Sequence, residues 1–170
     1  MSEPYLIVFS GPAGSGKTTQ AKALSAALSL PYFDYDTIVQ PFLLGIERRY
    51  GLIEGSRSAF YKEWRSESYS TLLEVTKENL KSGISLVISA PFTREMEEKD
   101  FFSRLKAESG ASFRSIAFSL FPSSALRLKM LRQRGSYRDE EIINGALEYA
   151  EYSVKKAIWD ADFVYDIYFE

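Results

Sequence analysis

The chain of 170 residues contains no cysteine and no histidine. Without cysteine it can form no disulfide, no thiolate nucleophile and no zinc–sulfur site. Without histidine it lacks the commonest general base and the commonest protein ligand of transition metals. Any acid–base chemistry must therefore use carboxylate, lysine or tyrosine side chains.

A large charge of one sign and long apolar segments are also missing. The 21 Lys and Arg residues nearly balance the 23 Asp and Glu residues, and a net charge of −2 speaks against a broad nucleic-acid-binding surface. The longest apolar runs, such as Tyr5–Phe9, hold about five residues, whereas a membrane-spanning helix needs about 20. The N-terminus lacks the pattern of a signal peptide. We expect a cytoplasmic protein without a membrane partner, either a monomer or a homodimer.

What remains is ordinary globular composition, with 45% hydrophobic and 26% charged residues. A chain of this length predicts one domain spanning residues 1–170. Short apolar runs predict strands at 5–10, 32–33, 84–90, 113–120 and 163–167. Helical spacing of apolar residues predicts helices at 17–30, 37–50, 57–80, 93–107, 124–134 and 143–157. Alternating strands and helices indicate an α/β fold with a mainly parallel sheet.

Residues 11–18 read Gly-Pro-Ala-Gly-Ser-Gly-Lys-Thr and match the phosphate-loop pattern G-x-x-x-x-G-K-[ST]. The match stands at the first predicted strand-to-helix turn, where backbone N–H groups and the helix dipole can hold a phosphate. Lys17 then reaches the β- and γ-phosphates, and the Thr18 hydroxyl ligates Mg²⁺. We predict that ATP is bound by Gly11, Pro12, Ala13, Gly14, Ser15, Gly16, Lys17, Thr18 and Thr19.

Other motifs narrow the class of phosphate-loop protein. The Asn-Lys-x-Asp motif of GTPases and the LSGGQ signature of ABC-type ATPases do not occur. With GPAGSGKTT, FDYDT at the end of the second strand, and RLKMLRQRGSYRD after the fourth, the chain resembles the P-loop small-molecule kinases. It looks most like the shikimate and gluconate kinases and the chloramphenicol-phosphotransferase-like group. The likeness spans Tyr5 to Ile167.

The resemblance implies a P-loop NTPase fold, a three-layer sandwich around a five-stranded parallel sheet of order 2-3-1-4-5. It implies a short lid at about 132–141 and acceptor-covering helices at about 37–82. By the same resemblance, Asp34 helps to hold Mg²⁺ and Asp36 contacts the acceptor hydroxyl. The residues leave an alternative open, in which this pair forms a turn and Asp36 caps a helix that begins at Thr37.

Arginines cluster after the fourth predicted strand. The resemblance implies that Arg127 lies near the adenine, while Arg134 and Arg138 reach the phosphates and stabilise charge on the transferring group. Spacing does not decide between Arg132 and Arg134, and a solvated basic helix face is the alternative. Arg57, Arg65 and Arg94 are further candidates, as anchors for an anionic group on the acceptor; exposed arginines on charged helices are the commoner case.

The third strand departs from the class, because it ends in Ser89 where many P-loop enzymes have an aspartate for Mg²⁺. This substitution places the metal on Thr18 and Asp34. The favoured hypothesis is an ATP- and Mg²⁺-dependent kinase that phosphorylates a hydroxyl of a small metabolite or antibiotic-like molecule, with Lys17, Asp36, Arg134 and Arg138 as catalytic residues. A polynucleotide 5′-hydroxyl kinase and a non-catalytic nucleotide-binding sensor are the alternatives.

Overall fold

The computed structural model describes residues 3–51, 57–136, 139–145 and 156–170. Within these ranges the strands are β1 (Tyr5–Ser10), β2 (Tyr32–Asp34), β3 (Leu86–Ser89), β4 (Arg114–Pro122) and β5 (Phe163–Phe169). The helices there are α1 (Lys17–Leu28), α2 (Tyr35–Tyr50), α3 (Arg57–Glu63), α4 (Arg65–Lys81), α5 (Phe101–Ser109), α6 (Ser124–Arg134) and α7 (Glu140–Asn144). A 3₁₀ turn covers Glu95–Glu97.

The five strands form one sheet in the order β2-β3-β1-β4-β5, and each adjacent pair is parallel. Strand β1 lies in the centre because its residues 6–10 are apolar or small and are buried on both faces. Helices cover both faces of the sheet. The three-layer P-loop NTPase fold and its strand order, expected from the resemblance, are confirmed.

The two faces of the sheet carry separate apolar clusters. On one face, Ala21 and Leu24 of α1 pack against Ile7 and Phe9 of β1. On the other, α2, α4 and α5 contribute the larger cluster, which includes Val39, Leu43, Leu72, Leu80, Phe101, Phe102 and Leu105. The parallel strands point their carboxyl ends toward one edge, so Ser10, Asp34 and Ser89 lie there on neighbouring strands. The sheet thereby places polar residues beside the loop that follows β1.

The prediction of a single helix over 57–80 is wrong, because the structure has two helices, α3 and α4, separated at Trp64. Trp64 has φ −87° and ψ 11°, which lie in the bridge region outside the α-helical range, but a break of one residue leaves the periodicity of the apolar residues intact. A pattern of apolar spacing therefore could not reveal it. Tyr61 and Trp64 pack against the larger apolar cluster.

The helix predicted over 93–107 is also wrong at its start, since α5 begins at Phe101. The carboxylate of Asp160 accepts the backbone N–H groups of Phe102 (2.8 Å) and Ser103 (2.9 Å). These donors belong to the first turn of α5, so a residue distant in sequence fixes where the helix begins. Local sequence does not contain that signal.

The long last helix predicted over 143–157 does not include Ala157. Helix α7 ends at Asn144, residues 146–155 lie outside the described residues, and residues 156–161 are not helical. Instead, the N–H of Ile158 donates to the Met96 carbonyl at 2.9 Å, and the Trp159 ring packs among Phe92, Phe101 and Phe102. Burial of Trp159 thus holds this segment against the 3₁₀ turn. In the described parts of the chain, no helix combines the length and apolar character needed to cross a membrane.

A buried ion pair connects α4 to the 3₁₀ turn. The Arg65 guanidinium donates to both carboxylate oxygens of Glu95, at 2.8 and 2.7 Å, and lies 4.0 Å from the centre of the Tyr69 ring. The exposed fractions of the two side chains are only 17% and 10%. Tyr69 in turn accepts the N–H of Phe92, whose φ of 49° is unfavourable for a residue other than glycine. The pair therefore stabilises the strained segment that follows β3.

We expect Glu95→Gln to lower the free energy of unfolding by about 2–3 kcal/mol, because Arg65 would keep its burial and lose its counter-charge. Glu98→Gln is the matched control. Glu98 lies in the same segment but pairs with Arg104 at the surface, where such pairs contribute less than about 1 kcal/mol. Urea unfolding with unchanged m values measures both variants. Equal losses in the two variants would contradict the special role of the buried pair.

Candidate active site

The loop between β1 and α1 has a backbone that requires its glycines. Gly11 has φ 140°, and a Cβ there would stand 2.7 Å from the Leu120 carbonyl oxygen. Gly14 has φ 78°, and its Cβ would stand 2.8 Å from Cγ of Leu131. Both positions combine a left-handed backbone with a close neighbour, which only glycine tolerates. The loop is therefore packed against β4 and α6 in the compact form that a phosphate-binding loop needs.

The start of α1 fits an anionic group. Gly16 is the N-cap, with φ 78°, and supplies no side-chain hydrogen bond to the first turn. The hydroxyl of Ser15 is buried and has no hydrogen-bond partner among the described residues. The first N–H groups of a helix, its dipole and an unpartnered hydroxyl at one place are the features that bind phosphate. The residues present thus fit the phosphates of a nucleotide.

Lys17 occupies the centre of the site. Its Nζ donates to the Pro12 carbonyl at 3.2 Å, which folds the side chain back over the loop. Burial lowers the pKa of Lys17 to about 8. The negative charges of Asp36 and Asp34 oppose this shift, while the positive charges of Arg134 and Arg127 add to it. The fold has therefore brought four of the residues singled out in the sequence within electrostatic reach of Lys17.

Asp34, at the end of β2, is buried and surrounded by donors. Its Oδ2 accepts hydrogen bonds from Ser89 (2.8 Å), Tyr32 (3.0 Å) and Thr18 (3.2 Å). Its Oδ1 accepts from the N–H (3.1 Å) and the hydroxyl (3.2 Å) of Thr37. Burial opposes ionisation, but these bonds outweigh burial and lower the pKa of Asp34. A carboxylate and a threonine hydroxyl in contact form a hard oxygen donor set that suits Mg²⁺.

Asp36 lies in the first turn of α2 and is half-buried. The alternative in which Asp36 caps a helix beginning at Thr37 is wrong. Helix α2 begins at Tyr35, and Asp34 is the capping residue. The two aspartates therefore differ in their surroundings: Asp34 is held by five hydrogen bonds from its neighbours, whereas Asp36 faces an open groove along α2.

The arginines of α6 take distinct positions. Arg127 is buried, and its Nε donates to the Ala13 carbonyl at 2.8 Å, so it braces the phosphate loop. Arg134 makes a two-point ion pair with Asp139, whose Oδ2 lies 2.7 Å from its Nε. Arg132 is exposed in the last turn of α6. Arg138 lies outside the described residues.

The three arginines considered as acceptor anchors do not share one environment. Arg65 is committed to Glu95, as described above. Arg94 is exposed just before the 3₁₀ turn. The side chain of Arg57 lies outside the described residues.

Two residues of the site were missed in the sequence. Tyr32 was assigned only to a strand, yet its hydroxyl lies 2.6 Å from Oγ of Ser89 and also contacts Asp34. Its position two residues before Asp34 places both side chains on one face of β2, a signal that strand periodicity could have supplied. Asp139, only 1% exposed, is the partner of Arg134. Its pairing depends on the turn at Gly135, for which spacing gives no clear signal.

Comparison with known proteins agrees with this fold. No curated protein matches the chain. Solved structures that share its fold include a putative kinase from Chloroflexus aurantiacus J-10-fl, with a TM-score of 0.73 and 18% identity over 98% of this chain and 89% of that one. A gluconokinase from Sinorhizobium meliloti 1021 (TM-score 0.51, 17% identity, 98% and 85% coverage) is similar in fold. A shikimate kinase from Bacteroides thetaiotaomicron is also similar in fold (TM-score 0.50, 16% identity, covering 96% of this chain and 85% of that one).

The sequence itself also matches a family model. The model describes an AAA domain and covers residues 6–155, from β1 across the phosphate loop and α6. That span contains every residue of the site described above. The chain therefore belongs to this AAA domain family.

Proposed function

We propose that the protein is a kinase that transfers the γ-phosphoryl group of ATP to a hydroxyl of a small molecule. The observation that carries the proposal is the phosphate loop with the Lys17 ammonium folded over it, where Thr18 contacts the Asp34 carboxylate and Arg127 donates to the Ala13 carbonyl. Phosphoryl transfer needs such a set, because catalysis consists mainly of positioning the groups and neutralising charge on the transferring oxygens. Kinases among the proteins of similar fold support the proposal.

The residues around Asp34 fit a hydrated Mg²⁺. Thr18 and Asp34 would hold the ion, and Ser89 and Tyr32 would fix the orientation of the Asp34 carboxylate. When bound, Mg²⁺ neutralises charge on the β- and γ-phosphate oxygens. Because Ser89 at the end of β3 is neutral, Asp34 at the end of β2 is the carboxylate that would supply negative charge to the ion.

Asp36 is the group proposed to orient the acceptor and receive its proton. The acceptor oxygen forms a bond to the γ-phosphorus, the bond from that phosphorus to the bridging oxygen of ADP breaks, and the hydroxyl proton passes to the Asp36 carboxylate. Lys17 and Arg134 stabilise the charge that spreads over the three equatorial oxygens. For Arg134 to reach the phosphoryl group, its guanidinium must exchange part of its contact with Asp139 for the phosphate.

Lys17→Ala should leave the protein folded and lower kcat by at least about 10²-fold, because the ammonium neutralises charge in the transition state. Lys22→Ala is the control, since Lys22 lies on the same helix but is exposed. Calorimetry with ATP and Mg²⁺, followed by an assay of ADP release across a panel of sugars, acids, nucleosides, oligonucleotides and antibiotics, measures both steps. If the native protein bound neither ATP, ADP nor GTP, the proposed function would be wrong.

The two aspartates should respond differently to loss of charge. Asp36→Asn should keep ATP affinity within a few-fold and lower kcat by roughly 10²–10⁴, the range for a positioned base. Asp34→Asn should raise the Mg²⁺ concentration for half activity. Asparagine is also a good N-cap, so α2 keeps its cap and the effect reports the lost charge. A Mg²⁺ titration of both variants tests this assignment. If only Asp36→Asn changed the Mg²⁺ concentration for half activity, Asp36 would be the metal ligand and the two proposed roles would be reversed.

Arg134 can be tested together with its partner. Arg134→Gln should lower kcat by at least about 10²-fold, and it should also destabilise the fold because the buried Asp139 loses its counter-charge. Adding Asp139→Asn should restore stability and leave kcat low. Recovery of kcat in the double variant would show that Arg134 only neutralises Asp139. Arg138→Ala is expected to lower kcat in the same way as Arg134→Gln.

A further inference from the structure

An open groove runs along one side of α2 and begins at Asp36, the carboxylate proposed to receive the acceptor proton. Its volume is about 510 Å³, within the range of small-molecule sites. The lining residues are Asp36, Thr37, Gln40, Pro41, Leu44 and Arg48. The groove is thus continuous from the proposed catalytic carboxylate to the far end of the helix.

The spacing of the lining residues explains this continuity. Asp36, Gln40, Leu44 and Arg48 are each four residues apart, so they form one continuous row that turns by about 120° around the helix axis. At 1.5 Å per residue, the backbone positions of Asp36 and Arg48 are separated by about 18 Å. A compact sugar or ring acid whose hydroxyl meets Asp36 would end well short of Arg48.

The chemistry changes along the row. Thr37 and Gln40 are polar and lie beside Asp36, whereas Pro41 and Leu44 make the middle apolar. Arg48 closes the far end with a positive charge and has no ion-pair partner among the residues that the structure describes. The adjacent Arg49 does not line the groove; its guanidinium lies 5.9 Å from the centre of the Tyr50 ring.

We propose that the phosphoryl acceptor is an elongated, amphipathic molecule with a hydroxyl at one end, an apolar middle and an anionic group at the other end. The hydroxyl lies at Asp36, the apolar part packs on Pro41 and Leu44, and Arg48 binds the carboxylate or phosphate. The inference rests on the proposed function, because it assigns the groove to the acceptor of the transferred group. It makes Arg48 the residue that selects acceptors by length and charge.

A series of synthetic acceptors tests length and charge separately. ω-Hydroxydodecanoate supplies a long chain with an anionic end, ω-hydroxyhexanoate a short one, and dodecanediol a long chain without charge. ω-Hydroxydodecyl phosphate has the same chain with a phosphate in place of the carboxylate, so it shows which of these two anions is preferred. Transfer from labelled ATP gives kcat/KM for each compound, and saturation-transfer NMR with Mg²⁺ and a non-hydrolysable ATP analogue gives binding without turnover.

We expect kcat/KM for the long acid to exceed that for both the short acid and the diol. Arg48→Ala should lower the ratio of long acid to diol about tenfold, the effect expected when one charge-assisted contact of roughly 1.4 kcal/mol is lost. Arg49→Ala should leave this ratio unchanged. Equal loss in the two variants would indicate a diffuse electrostatic effect and overturn the assignment of Arg48.

Two further outcomes would also overturn the inference. One is a series in which neither length nor charge matters, and the other is absence of NMR-detected binding of the long acid to protein that binds the ATP analogue. Because ATP binding is measured independently by calorimetry, failure of the acceptor series leaves the kinase proposal standing. Failure of ATP binding would remove the kinase proposal itself.

Discussion

The carboxylate of Asp34 is the contact point on which the rest of the site depends. A buried carboxylate costs several kcal/mol unless donors surround it, and the fold supplies donors from four elements: Thr18 of α1, Tyr32 of β2, Ser89 of β3 and Thr37 of α2. Hydrogen bonding to the two carboxylate oxygens of Asp34 therefore fixes the relative positions of the phosphate loop, the first two helices and strands β2 and β3. The position of Asp36, two residues on, follows from the same constraint.

Much of the fold could be predicted because its signals are local. The apolar run of β1 and the eight-residue phosphate loop are each contained in a few consecutive residues. The strand order came from family resemblance, since it depends on crossovers that spacing does not specify. For the start of α5 the missing information was distant, because Asp160, which fixes it, is 58 residues away from Phe102.

The site follows the same division. Lys17 and Thr18 could be placed from the motif alone, and the pair Asp34 and Asp36 from its position at a strand end. The surroundings of these side chains could not be predicted, because they depend on contacts between residues distant in sequence. Ser89 of β3 donates to Asp34 of β2, and Glu95 pairs with Arg65, which is 30 residues away. An arginine looks the same in sequence whether it is paired or available. Only the fold shows that Arg65 is bound to Glu95 and that Arg48 is not paired within the described residues.

The central place of β1 in a parallel sheet has a consequence for synthesis of the chain. Leu6 pairs with Leu86, and Tyr5 pairs with Arg114, so this apolar strand leaves the ribosome long before either neighbour exists. At roughly 5–20 residues per second, the first partner follows after about 4–16 s, an interval in which chaperones can bind the exposed strand. The phosphate loop also packs on Leu120 and Leu131. Nucleotide can therefore stabilise only a nascent chain in which β4 and α6 have already emerged.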